Sequence, residues 1–189
     1  MELKPAEVRS MYRILSGAVV PRPIAWVSTT DGETDNLAPY SFFNVVGIEP
    51  PVVMFAPGSM KDTPRNVLET GEFVVNVVTV DLAEAMNATS ATLSSSESEF
   101  DHANIEREPS VTVAAPRVAD SPIAFECELY DHLEIGRSWM ILGEVLHVHL
   151  DDSVITDGEI DVRKFDALGR LAGSLYTETA ERFALERPE

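Results

Sequence analysis

Apolar positions along this chain fall mostly in short runs and alternations, the pattern of strands, with only brief stretches of helical spacing. PRPIAWVSTT (21–30) is rich in β-branched and aromatic residues and stops at the turn signal Asp31-Gly32. NLAPYSFFNVVGI (36–48) reads as a second strand and PPVVMFAPG (50–58) as a third. FVVNVVTV (73–80), VTVAAPRV (111–118), IAFECELYDHLEI (123–135) and SWMILGEVLHVHL (138–150) read as further strands, the last two joined as a hairpin at Gly136-Arg137.

Helical patterning is confined to short pieces. Residues 5–15 place Met11, Ile14 and Leu15 on one side. In DTPRNVLETGEF, Asp62 or Thr63 can cap a helix, Pro64 suits its first turn and Gly71 can end it. Residues 81–89 have helical propensity, and SATLSSSESEF (90–100) is a serine-rich polar loop, either a connector or a lid. Strands dominate without βαβ alternation, so the expected architecture is an antiparallel barrel with a few helices. No repeat or interdomain linker stands out, and residues 1–189 are expected to form a single domain.

Composition narrows the function. Acidic residues number 32 against 14 cations, for a net charge of −18. Such a field repels phosphate backbones and anionic lipid, so neither nucleic acid nor membrane is an expected partner. Only Lys4, Lys61 and Lys164 are lysines, and an acidic, lysine-poor surface points to a halophile-like protein kept soluble in high salt. No apolar run reaches the length of a membrane span, and MELKPAEVRSMYRILSG lacks a signal-peptide core, so a cytoplasmic protein is expected. Cys127, the sole cysteine, reads as a buried strand residue, and no metal site is expected.

Two stretches carry candidate chemistry. WVSTTDG and NLAPYSFFN put Ser28, Thr29, Thr30, Ser41 and Asn44 at interrupted strand ends, with Trp26, Phe42 and Phe43 supplying flat apolar surface. They suit a planar ligand with a hydrogen-bonding rim, or are ordinary barrel residues. GSMKDTPRN places Lys61, Thr63, Arg65 and Asn66 at a helix start, where a cation, a hydroxyl and backbone amides could hold a phosphate. It lacks P-loop spacing and could equally be a capped helix with solvated cations. Together the stretches describe flavin mononucleotide (FMN). His147 and His149 share one strand face, roughly 6.6–6.8 Å apart, and could hold a metal, contact a proton or nicotinamide, or lie at the surface. Neither GxGxxG nor GxSxG is present.

The order PRPIAWVSTTDG, NLAPYSFFN, PPVVMFAPG, KDTPRN and FVVNVV, continuing through SEF (98–100), LGEVLHVHLDD and LGRLAGSLY (168–176), resembles the flavin reductase-like family. The resemblance implies a six-stranded antiparallel Greek-key split barrel with flanking helices, and a homodimer binding FMN near its interface. It assigns Ser28 and Thr29 to flavin contacts and Ser41, Phe42, Phe43 and Asn44 to the ring. Lys61 and Thr63, with Asn66 close by, fall on the phosphate side, and Gly173 and Tyr176 near the flavin. The C-terminal element reads AGSLY here, with one extra residue before the tyrosine. The flavin would carry the chemistry, so no dedicated catalytic side chain is expected. The implied activity is an NAD(P)H:flavin reductase using NADH or NADPH, with a monooxygenase or other redox protein as possible partner. The alternative is a flavoredoxin-like electron carrier reduced by a protein, and a flavin-free scaffold is a third reading.

Overall fold

A computed structural model describes residues 2–188. Its main sheet is antiparallel and has seven strands: β1 (Ala25–Thr30), β2 (Asp35–Tyr40), β3 (Phe43–Ile48), β4 (Pro51–Phe55), β5 (Glu72–Val77), β6 (Ile123–Ile135) and β7 (Ser138–Leu150). In the sheet they run β2-β1-β5-β6-β7-β4-β3. β2 and β3 are therefore opposite edges, yet only Ser41 and Phe42 separate them in the chain. Three residue steps span about 11 Å at most, so the sheet must curl until its edges meet at this corner. The Ala56 amide donates to the Phe42 carbonyl at 2.8 Å there. This is the expected mainly β split barrel. The main sheet has seven strands where the resemblance implies six, and 36–48, read as one strand, breaks into two at that corner.

The strand pattern explains the layers. Alternate residues of β1 enter different cores: Ala25 and Val27 pack inside with Val53, Phe55, Phe73, Val75 and Ile141. Trp26 faces outward into a second cluster with Leu37, Met86 and Phe100. β1 is buried on both faces because helices cover its outer side. A β-carbon at Gly143 would lie 2.2 Å from the Phe73 ring, so only glycine lets that ring cross β7.

Four helices flank the barrel: α1 (Met11–Ala18), α2 (Asp62–Thr70), α3 (Ala83–Ala88) and α4 (Glu99–His102). α2 sends Val67 into the inner core and ends at Gly71, whose φ of 77° lies in the left-handed region glycine favours. Its N-cap is Lys61, one residue before the expected caps. The hairpin at Gly136-Arg137 forms as expected. The expected strand at 111–118 does not: only Arg117–Val118 pairs, while the Val111 and Thr112 amides donate to Glu126 and that of Ala114 to Glu72. Among the described residues no helix is long and apolar enough to cross a membrane.

Candidate functional site

A cavity of about 260 Å³ opens between the end of β2, the loop before α2 and the segment 89–93. Lys61 and Thr63 line it, with Asn36, Tyr40, Ser59, Asp62 and Glu99. Its floor follows from chain geometry: β2 delivers Asn36 and Tyr40, and the first turn of α2 delivers Thr63. Pro64 has no N–H, so Asp62 and Thr63 provide the free amides of that turn.

Behind the surface runs a buried hydrogen-bond network. Thr63 Oγ1 donates to Asn36 Oδ1 at 2.6 Å, and Thr29 Oγ1 donates to the same oxygen at 3.3 Å. Asn66 Nδ2 donates to Thr29 Oγ1 at 3.2 Å. Asn36 Nδ2 and the Leu37 amide both donate to Glu99 Oε2, at 2.7 and 3.1 Å. Burial pushes the Tyr40 hydroxyl up to about 12, against a smaller pull from its Thr63 hydrogen bond, so it is protonated at neutral pH. Arg65 is paired with Asp62. Lys61 has no ion-pair partner among the described residues and makes no capping bond, which leaves it as the cavity's available cation.

The candidates named from sequence divide into four groups. Lys61 and Thr63 line the cavity, and Thr29 and Asn66 sit directly behind it. Trp26 and Ser28 are fully enclosed. The Trp26 indole donates to Thr89, on the cavity wall, at 2.9 Å, whereas the Ser28 hydroxyl donates to the Pro116 carbonyl. Ser41, Phe42, Phe43 and Asn44 form the corner where the barrel edges meet. Phe43 packs on the inner core, Phe42 is 40% exposed, and the Asn44 side chain accepts from the Val45 amide. Tyr176 packs against the outer core with Arg170 4.3 Å from its ring centroid.

Phe100, at the end of the loop read as a connector or a lid, is fully buried beside Trp26. Arg107 lies 4.7 Å from its ring centroid and bonds Asp35, Asp101 and Ser98. The serine-rich loop is thus pinned at its C-terminal end. The two histidines stand apart from the cavity. His149 Nε2 lies 2.5 Å from Glu126 Oε1, and the rings of His147 and His149 are 4.7 Å apart. Leu146, Val148 and Leu150 are the exposed face of that strand. Among the described residues no group of three or more His, Cys, Asp or Glu could hold a metal ion.

Sequence reasoning passed over Asn36, Tyr40 and Glu99. Asn36 and Tyr40 sit in NLAPY and Glu99 in SEF, but no local pattern marks a residue whose partner lies 27 or 63 positions away. The donors fit the polar half of an FMN-sized ligand: one available cation, free amides and a polar wall. The volume is below the roughly 300–1,000 Å³ usual for small-molecule sites, so a planar ring would extend beyond it.

Comparisons with known proteins agree with the fold. Residues 16–165 match the family model described as flavin reductase like domain. A Deinococcus radiodurans protein is 42% identical over 190 residues, covering 93% of this chain and 84% of its own. The crystal structure of nitrilotriacetate monooxygenase component B from Bacillus cereus matches with a TM-score of 0.94 and 32% identity, over 98% of both chains. That of 2-nitrobenzoate 2-nitroreductase from Pseudomonas fluorescens matches at 0.93 and 34%, over 100% of this chain and 96% of its own.

Proposed function

The chain belongs to the flavin reductase-like family, and from that premise we propose that it is an FMN-binding oxidoreductase acting as an NAD(P)H:flavin reductase. The observation that carries the reading is the cavity itself, where Lys61, without an ion pair among the described residues, lies beside the free amides of α2 and a hydrogen-bonded polar wall. When bound, FMN supplies the hydride-accepting chemistry, with NADH or NADPH as donor.

The protein's part is to bind, orient and shield. Lys61 and the Asp62 and Thr63 amides hold the phosphate. Asn66 and Thr29 brace that wall from behind, and Trp26 and Ser28 fix the strand that carries Thr29. Ser41, Phe42, Phe43 and Asn44 border the ring at the barrel corner, where Ser41 is placed to hydrogen-bond its edge. Tyr176 belongs to the same surround. The segment 89–93 limits water on the cavity side.

Residues 1–189 act as one unit in this reading, in the cytoplasm. A second copy covers the apolar side chains that β3 and the hairpin tip expose, namely Val45, Val46, Ile48, Tyr130, Leu133 and Ile135. An oxygenase or other redox protein receives the reduced flavin.

Anaerobic titration of FMN-loaded protein with NADH and then NADPH tests the reading through the flavin absorbance band. Bleaching by either nucleotide is expected. Bound flavin that neither reduces would replace the reductase with a protein-reduced electron carrier. Protein that stays colourless after FMN is added would remove the flavin reading altogether.

A further inference from the structure

We propose that Glu99 and Thr63 form a hydrogen-bond-accepting wall that receives the hydroxyls of a ligand's polyol chain, with Glu99 as the residue that excludes phosphate from that end of the cavity. The proposal rests on the flavin reading and assigns the ribityl chain, the link between ring and phosphate, to this wall.

The polarity follows from counting hydrogens. Glu99 Oε2 accepts the Leu37 amide at 3.1 Å, so the Asn36 group 2.7 Å from it is the NH2. That fixes Asn36 Oδ1 towards Thr63, whose hydroxyl donates to it at 2.6 Å. A threonine hydroxyl has one hydrogen. With that hydrogen committed inward, the protonated Tyr40 hydroxyl can only donate to Thr63 Oγ1, which keeps one lone pair, and no hydrogen, for a cavity ligand. The Asn66 amide bonds Thr29 and not Asn36, so it does not alter this result.

Glu99 adds a second acceptor. The residue is 7% exposed and lines the cavity. Oε1 takes no hydrogen bond from the described residues, yet it is not among the buried side-chain atoms lacking a partner, so it keeps accessible surface on a residue that lines the cavity. A carboxylate oxygen so placed gains from a ligand hydroxyl and repels an anion. Lys61, also on the cavity lining, supplies the opposite preference. A ligand with hydroxyls at one point and a phosphate at another is therefore oriented by the pair, and the Thr63 hydroxyl goes with the polyol while its amide stays with the phosphate.

The test uses three flavins on full-length protein, each titrated by fluorescence quenching: lumiflavin without a polyol, riboflavin with one, and FMN with polyol and phosphate. The proteins are wild type, Glu99→Gln and Thr63→Val. Glutamine keeps an oxygen towards Leu37 and Asn36 and turns an NH2 to the cavity. Wild type should prefer riboflavin to lumiflavin by about tenfold, and both variants should lose most of that preference. Glu99→Gln alone should also raise the affinity of FMN relative to riboflavin. These are ratios within one protein, so a loss of folded fraction does not move them. FMN binding with unchanged ratios in all three proteins overturns this proposal and leaves the flavin site standing. Absence of flavin binding to wild type overturns both.

Discussion

Glu99 and Glu126 are the buried glutamates among the described residues, one beside the cavity and the other enclosed between β6 and the loop at 110–115. Every oxygen of Glu126 is used. Oε1 meets the Val111 amide and His149 Nε2, and Oε2 meets the amide and hydroxyl of Thr112. Burial would raise its pKa, but these hydrogen bonds outweigh it and hold the carboxyl at about 2, below the ordinary 4.5. Glu99 spends one oxygen on two donors and leaves the other with accessible surface and no donor from the described residues. A saturated buried carboxylate is a staple: it fastens a loop that forms no strand. A half-saturated one is free, in our proposal, to receive a ligand. Burial alone does not separate the two roles, whereas the number of donors per oxygen does.

The largest expected effect falls on the staple. Glu126→Ala strands two amides, a hydroxyl and an imidazole, and should cost about 3–5 kcal/mol in urea unfolding at pH 7. The gap from wild type should narrow with acid, because a carboxyl with a depressed native pKa stabilises above about pH 4.5 and loses that contribution as pH falls towards 2. Glu99→Ala strands only the Asn36 amide and the Leu37 N–H and should cost about 1–3 kcal/mol. Equal losses at both sites would erase the contrast.

Lys61→Ala should leave the unfolding midpoint near that of wild type but weaken FMN binding by about 1–3 kcal/mol, as expected for a charge-assisted hydrogen bond. A matching loss of stability would make Lys61 another staple. Arg65, already paired with Asp62 on a partly exposed surface, should matter least. Arg65→Ala is expected to change stability by under about 1 kcal/mol and FMN affinity hardly at all. The acidic composition adds a separate expectation: the thermal midpoint should rise as KCl approaches molar concentration.

Local signals were legible in the sequence, and long-range ones were not. The β6–β7 hairpin was readable because two long apolar runs flank Gly136, and α2 because Pro64 and Gly71 bracket it. The break at Ser41-Phe42 was hidden, since nothing about those residues opposes a strand and barrel closure imposes the corner. VTVAAPRV alternates like a strand, but Glu126 and Glu72, remote in sequence, claim its amides first. The site divides in the same way. Lys61 and Thr63 lie in one local motif, whereas Asn36, Tyr40 and Glu99 reach the cavity only when β2 and α4 pack together.

A crystal structure of the FMN complex tests the central claim most directly. The phosphate is expected against Lys61 and the first amides of α2, with ribityl hydroxyls facing Glu99 and Thr63. Flavin bound with its phosphate away from Lys61, or lodged outside this cavity, would contradict the account.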